Sequence, residues 1–377
     1  MALNIEVKKV NGRKMLREFI RVPWTAKIYK NDPAWVPYVI SDLEHFCDPE
    51  KGYFFENGDG EAQLFIAYKD GKPAGRISAH IYKRYDERYD RETGFFGFYE
   101  CIDMLPVSKA LFSAAVEWLR AKGKTRMLGP ESFAIYDAIG FDVLNNGRMP
   151  VIGNFHSAYW YEKHALAFGL KKHIDWYCFM VKPIAANMDK MFTIREELAR
   201  QSDVQYKKLN MKEINKRASE LHYILDTAWE GNEGHIPMTE KQFKMHWDEL
   251  KMVIVPELAI FAEKDGRTVG FILSVPDANP GIAALNGRLY PWRILKLLWK
   301  LKRSKTLRTI LMGVLPEYRG RNIDQVLILM TIEEGLRLGF EASDCSLIVE
   351  NNHKMIGALK YLNADMYKGY RLYDMKI

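Results

Sequence analysis

The sequence predicts an α/β chain of two similar domains, each a mixed sheet flanked by helices. Three observations predict it. First, 377 residues are too many for one ordinary core. Second, 48% hydrophobic and 27% charged residues make a globular composition, neither disordered nor fibrous. Third, two stretches share one rhythm. LFIAYKDGKPAGRISAHI (Leu64 to Ile81) and LAIFAEKDGRTVGFILSV (Leu258 to Val275) each read as an apolar strand, a charged Asp-Gly turn and a second strand carrying Gly75 or Gly270.

The elements that follow each hairpin also correspond. GFFGFYECID and TLRTILMGVL read as further strands, and VSKALFSAAVEWLRAKG and IDQVLILMTIEEGLRLG read as helices. A short strand and an amphipathic helix close each set. The chain thus reads as an internal duplication, with domains at 1–185 and 186–377 and a boundary where VKPIAANMDKM breaks the pattern.

Cys47, Cys101, Cys178 and Cys345 lie far apart, without CxxC or Cys/His spacing, so four reduced thiols and no metal site are expected. His156 and His164 stand eight apart around an aromatic run and form no zincin pattern, which favours an aromatic core or a lipid-lined wall. The start, MALNIEVKKVNGRKML, lacks the continuous apolar core of a signal peptide, and no stretch has the apolar length of a membrane span. A cytoplasmic protein is the expectation.

Charge is concentrated as well as positive. The net charge is +7, and Arg288 to Arg308 carries a dense run of Lys and Arg with no Asp or Glu. On a helical wheel Arg293, Lys296, Lys300 and Arg303 fall together, while Trp292, Ile294, Leu295, Leu297, Leu298, Trp299 and Leu301 cover the remaining arc. Such a helix either lies at a membrane surface or packs its apolar arc on the domain and leaves the basic stripe in solvent. Nucleic acid is disfavoured, because the residues between the cations are mainly aliphatic and offer no stacking platform.

In LPEYRGRNIDQVLILMTIEEGL a strand ends near Val314 and a helix begins near Ile323. The helix start offers unpaired N–H groups and a favourable dipole to an anion, and Arg319 and Arg321 add charge-assisted donors. Asn322 tolerates left-handed backbone, and Asp324 is read as an N-terminal helix cap, though its carboxylate would oppose a phosphate.

The order hairpin, strand, RGR loop, helix, strand, ENNH helix, strand resembles the GNAT family of acyl-CoA N-acyltransferases. The resemblance covers Leu258 to the C-terminus well and the N-terminal half as a degenerate copy. It implies acyl-CoA as donor, with the loop of Arg319, Gly320, Arg321, Asn322, Ile323 and Asp324 cradling the pyrophosphate. One of the three signature positions survives, because Asn322 and Asp324 replace small residues. The resemblance also implies that a bulge over Ile310 to Val314 supplies amides to the thioester carbonyl, and the amides of Met312 and Val314 are the expected pair. Asn352 is expected either to hold the pantetheine arm or to cap its helix. The usual acid tyrosine is missing, since Leu359 occupies its position and Tyr361 is the nearest tyrosine.

SVPDANPGIAALNGRLYPW, GVLPEYRGRNID and ENNHKMIGALKYLNADMYKGYRLY, with the segments GPESFAIYDAIGFDVL and NEGHIPMTEKQF, resemble a narrower tandem-GNAT group that includes bacterial ceramide synthases. That resemblance implies transfer of a long acyl chain to the amine of a sphingoid base. Glu233 and His235 depart from the group's pattern and leave the acceptor open. For the base, Asp277 ends a strand on the expected acceptor side, with His235 and the weaker Glu233 in a loop near the cleft. The rival readings are a small-amine N-acetyltransferase and a noncatalytic acyl-CoA or lipid-binding protein.

Overall fold

The computed structural model describes residues 4–182 and 188–377, so the expected boundary at 185/186 lies outside the described residues. The chain divides into two compact units. One comprises Met1–Tyr177, Asn279–Leu297 and Tyr367–Ile377, and the other Cys178–Ala278 and Leu298–Met366. Neither unit is a single run of chain, because a helical insertion and the last strand of the C-terminal half cluster with the N-terminal unit.

In the N-terminal unit the strands β1 (Ile5–Lys9), β2 (Gly60–Lys69), β3 (Lys72–Tyr82), β4 (Thr93–Cys101) and β5 (Arg126–Gly129) lie in spatial order. They are interleaved with helices α1 (Gly12–Thr25), α2 (Ile40–Phe46), α3 (Lys83–Arg88) and α4 (Leu105–Ala121). Short strands β6 (Glu131–Ser132), β7 (Ala138–Ile139) and β8 (Phe141–Asp142) lead to α5 (Tyr161–Phe168) and β9 (Lys171–Val181). The C-terminal half runs α6 (Met188–Gln201), β10 (Gln205–Lys208), α7 (Ile214–Trp229), α8 (Glu240–Leu250), β11 (Ala259–Lys264), β12 (Arg267–Pro276), α9 (Asn279–Leu285) and α10 (Pro291–Lys302). It ends with β13 (Thr306–Val314), α11 (Ile323–Arg337), β14 (Ala342–Val349), α12 (His353–Tyr361) and β15 (Asp365–Lys376). In the C-terminal unit the order is β14-β13-β12-β11-β10, while β15 pairs antiparallel with β5 of the N-terminal unit, the unit with which Tyr367–Ile377 clusters.

Both expected hairpins form with the same geometry. Asp70 (φ 50°) with Gly71 (φ 75°) and Asp265 (φ 51°) with Gly266 (φ 78°) take the paired positive φ of the tight turn that matches strand twist. Ala67 faces Gly75 and Ala262 faces Gly270, each beside a register shift, so the two hairpins superpose residue on residue. The next strands match too. Gly75 faces Cys101 on β4, and Gly270 faces Val314 on β13.

The C-terminal core is built from Leu221, Ile224 and Leu225 of α7, Phe243 and Trp247 of α8, and inward residues of β11, β12 and β13 such as Phe261, Phe271 and Val314. The N-terminal unit buries an aromatic cluster in which Phe54 stacks on Phe133 (4.5 Å) and His80 on Phe95 (5.6 Å). Arg76 is also buried there, its guanidinium donating to Phe19 O and Ile20 O at 3.2 Å each. Pro23 lies inside α1 and has no N–H to give Phe19 O, so Arg76 satisfies a carbonyl that the proline orphans. All four cysteines are free thiols, and among the described residues no group of three or more His, Cys, Asp or Glu comes together as a metal site.

Candidate functional site

Strands β13 and β14 run parallel from the pair Thr306/Ala342 to the pair Thr309/Cys345. There the pairing stops, although β13 continues to Val314 and β14 to Val349. A gap in the ladder therefore opens along Ile310 to Val314. Its start coincides with a bulge, because Leu273 faces Leu311 and Ser274 faces Thr309, which leaves Ile310 as the extra residue.

Register fixes which way the amides in this gap point. Leu315 N donates to Val269 O (2.9 Å) directly opposite it, so that pair is of the hydrogen-bonded type. Types alternate along an antiparallel ladder, so Val314 and Met312 fall in non-hydrogen-bonded pairs and turn their N–H groups away from β12, toward the gap. The Met312 carbonyl points the same way and accepts from Trp229 Nε1 (3.0 Å). Trp229 ends α7, which packs closely against β13. A Cβ on Gly313 would stand 3.1 Å from Ile224 and 3.3 Å from Ala228.

Beyond the gap, Gly320 (φ 77°) and Asn322 (φ 61°) carry the chain through left-handed backbone into α11, so asparagine keeps the conformation that glycine adopts more easily. Val326 N is the first to bond back, to Asn322 O (3.0 Å), which leaves the amides of Ile323, Asp324 and Gln325 without an intrahelical acceptor. Asp324 is not the cap. It is the second helical residue, exposed, while Asn322 holds the N-cap position. The two arginines differ. Arg319 is tied to backbone, with Nη2 on Ala228 O (2.8 Å) and Nε on Val314 O (3.4 Å). Arg321 is exposed, with its guanidinium 5.0 Å from the Tyr318 ring centroid.

Of the two roles open to Asn352, the structure shows the cap, since its Oδ1 accepts from Met355 N (3.1 Å) at the start of α12. Leu359 is buried at 3% exposure and Tyr361 is 89% exposed, so no tyrosine stands at the usual acid position. Asp277 is far from the open amides. Its N–H donates to Thr306 O (2.8 Å), which sets it beside the first residue of β13. Met312 lies six residues along that strand, roughly 20 Å away at about 3.3 Å per residue. The antiparallel register thus puts the end of β12 at the closed end of the gap. His235 and Glu233 follow Trp229 directly, in two consecutive turns closed by Asn232 N on Trp229 O (2.8 Å) and His235 N on Asn232 O (3.2 Å). His235 is buried and Glu233 exposed.

Sequence reasoning missed the brace behind this loop. Asp226 holds His222 Nε2 (3.2 Å), and the same nitrogen lies 3.0 Å from Met238 O. The Asp226 carboxylate raises the His222 pKa against the opposing effect of burial. Asp226 follows His222 by one helical turn, which was the available signal.

The equivalent gap in the N-terminal unit is filled. β4 pairs with β5 only from Thr93/Arg126 to Phe95/Leu128, and β4 then continues to Cys101. Here Phe98 N donates to Ser132 Oγ (3.0 Å), and Cys101 N, the counterpart of Val314 N, donates to Tyr161 Oη (3.2 Å). A Cβ on Gly97 would stand 1.7 Å from Glu131 O, so the chain after β5 lies directly against β4. Only Ile102 to Met104 join β4 to α4, with no counterpart of the RGR loop.

No family model matches the chain. It is 34% identical to Protein YghO of Escherichia coli (strain K12) over 384 residues, covering 98% of this chain and 95% of that protein. It is 30% identical to the bacterial ceramide synthase of Caulobacter vibrioides over 378 residues, covering 98% and 97% respectively. Among solved structures, a tandem GNAT protein from the clavulanic acid biosynthesis pathway matches 99% of this chain and 98% of its own with a TM-score of 0.54 at 11% identity, a likeness of fold. With a duplicated hairpin-strand-helix order, one open gap and one filled one, the chain belongs to the tandem-GNAT acyltransferases, in the group of the bacterial ceramide synthase.

Proposed function

We propose that the C-terminal unit binds acyl-CoA in the gap between β13 and β14 and transfers a long acyl chain to the amine of a lipid-like acceptor such as a sphingoid base. The observation that carries this reading is the pair of amides at Met312 and Val314, turned away from β12 where β14 has ceased to pair. The pyrophosphate then meets Arg321 and the amides of Gly320 to Gln325, while the pantetheine arm runs back along β13. The Met312 amide donates to the thioester oxygen and stabilises the oxyanion as the amine attacks.

The reaction needs one proton taken from the amine, and His235 takes it in this reading. The two short turns from Trp229, whose indole bonds the Met312 carbonyl, favour it over Asp277 at the closed end. The tetrahedral intermediate collapses by breaking the C–S bond. The thiolate leaves as such, because a thiol pKa near 8.5 makes full protonation unnecessary. The buried Leu359 and exposed Tyr361 agree with an enzyme that lacks a tyrosine acid. The acceptor class is supported by the 30% identity to a ceramide synthase over nearly the whole chain.

Two measurements test the proposal. Native mass spectrometry of the purified protein should find a retained acyl-CoA or sphingoid base, and turnover should favour long-chain over acetyl donors with a sphingoid amine. Turnover with acetyl-CoA and a small amine alone would replace the acceptor class. An absence of turnover with every amine, alongside tight acyl-CoA binding, would make the chain a binding protein. His235→Gln should lower turnover about a hundredfold while acyl-CoA binding persists, and unchanged turnover across pH would remove His235 as the base.

A further inference from the structure

Helix α10 carries apolar side chains that the fold leaves uncovered. Trp292 is 65% exposed, Leu295 68%, Leu298 52% and Trp299 55%, and no residue of the helix is buried. The half-buried positions are Arg293, Leu297, Lys300 and Leu301, a stripe at i, i+4, i+7 and i+8 that marks the inward face. Two of the four cations expected to share a solvent face thus lie inward. Arg293 donates to Leu285 O and its guanidinium sits 5.5 Å from the Tyr290 ring. The apolar arc is the one turned out.

Exposed cations border that arc. Lys296, Lys302 and Arg303 are exposed, Arg303 lies 4.4 Å over the Trp299 ring, and residues 288–308 contain no Asp or Glu. Tyr290 stacks on Trp292 (4.9 Å) just before the helix.

We propose that α10 docks the protein on an anionic lipid bilayer, with Trp292, Leu295, Leu298 and Trp299 in the headgroup-acyl boundary and Lys296, Lys302 and Arg303 on the lipid phosphates. Charge complementarity selects this occupant. A second copy would oppose a helix of cations with the same helix on a chain of net charge +7, whereas an anionic leaflet satisfies the apolar arc and the cations together. No described helix is long and apolar enough to cross a membrane, so the contact is interfacial. This inference does not depend on the acceptor, because lipid binding is read without turnover.

The test is sedimentation with vesicles of phosphatidylcholine alone and of phosphatidylcholine with phosphatidylglycerol, at two salt concentrations, for three forms of the full chain. Wild type should bind the anionic vesicles and release as salt rises. The variant Leu295→Ser, Leu298→Ser, Trp299→Ser should lose binding at least tenfold. The variant Lys296→Gln, Lys302→Gln, Arg303→Gln alters only exposed cations and should lose the preference for phosphatidylglycerol while keeping the wild-type melting temperature. Wild type that fails to bind, or variants that bind as wild type does, would overturn the proposal. So would an apolar variant that turns a dimer into a monomer and leaves vesicle binding unchanged, since the face would then belong to a second copy.

Discussion

Arg319 and Arg321 stand two residues apart in one loop, and their substitution should separate stability from ligand affinity. Arg319 already bonds two backbone carbonyls, Ala228 O at 2.8 Å and Val314 O at 3.4 Å. Arg319→Ala removes those contacts and frees the end of α7 from the loop. At an exposed site such bonds contribute about 1 kcal/mol in total, which should lower the melting temperature by a few degrees. Arg321 has Tyr318 beneath it and among the described residues no ion pair, so its guanidinium is oriented and available. One charge-assisted contact to a phosphate contributes about 1.5–3 kcal/mol, or roughly tenfold to a hundredfold in Kd. Arg321→Ala should therefore weaken acyl-CoA by that factor and leave the melting temperature unchanged. Binding should not vanish, because the amides of Ile323, Asp324 and Gln325 remain without an intrahelical acceptor and free to donate. Calorimetry with a nonhydrolysable acyl-CoA and thermal melts on the same samples give both numbers. The assignment fails if Arg321→Ala binds like wild type, or if Arg319→Ala loses affinity with no loss of stability.

Titration should return one acyl-CoA per chain, since Ser132 takes the Phe98 amide and Tyr161 the Cys101 amide in the N-terminal gap, and a stoichiometry of two would refute that filling. Gly313→Val should drive a side chain into Ile224 and Ala228, destabilising by about 1–3 kcal/mol and moving Trp229 off Met312; a wild-type melting temperature and activity would contradict the packing. Burial among Phe54, Phe95 and Phe133 pulls the His80 pKa down to about 3, so His80 stabilises fully above its unfolded value near 6.5 and loses that contribution as pH falls toward 3. Acid titration of stability should be steeper for wild type than for His80→Phe across that window, by about 1.4 kcal/mol per pH unit. For His222 the sign reverses. Its pKa is raised by Asp226, so the link stabilises fully below about 6.5, and Asp226→Asn should remove stability that wild type itself loses as pH rises through the raised value.

What could be read from the chain was local chemistry. Asp70-Gly71 and Asp265-Gly266 announce their turns because positive φ at two successive positions is cheap for few other residue pairs. Asn322 was legible as a left-handed residue for the same reason. The orientation of α10 was not legible, because a wheel gives angles between side chains and not which sector meets the protein. Arg293 and Lys300 on the inward stripe reverse the usual expectation, and Arg293 does so by capping Leu285 O. Asp277 was legible only in part. Its place at the end of β12 is clear in the sequence, but the antiparallel partner decides which end of β13 it meets, and that partner begins with Thr306.

The filled gap shows how one copy of a duplicated fold can satisfy its turned-out amides from within and keep its shape. The ladder itself turns the amides of Cys101 and Val314 away from the hairpin, as Ile102 N on Ala74 O (3.0 Å) and Leu315 N on Val269 O (2.9 Å) are the same bond in the two copies. A buried amide left without an acceptor costs about 1–3 kcal/mol. The C-terminal copy meets that demand with an open gap, in which solvent or a ligand accepts. The N-terminal copy meets it from within, with Tyr161 Oη, which also donates to Glu100 Oε2 (2.7 Å) beside the buried Arg76. Burial raises the Glu100 pKa against the pull of Arg76, so this network stabilises the unit only while its partners remain in place. Reopening the gap would require withdrawing both Ser132 and Tyr161 and leaving Glu100 with fewer donors. Removing either side chain alone should therefore destabilise the N-terminal unit before it creates a second acyl-CoA site.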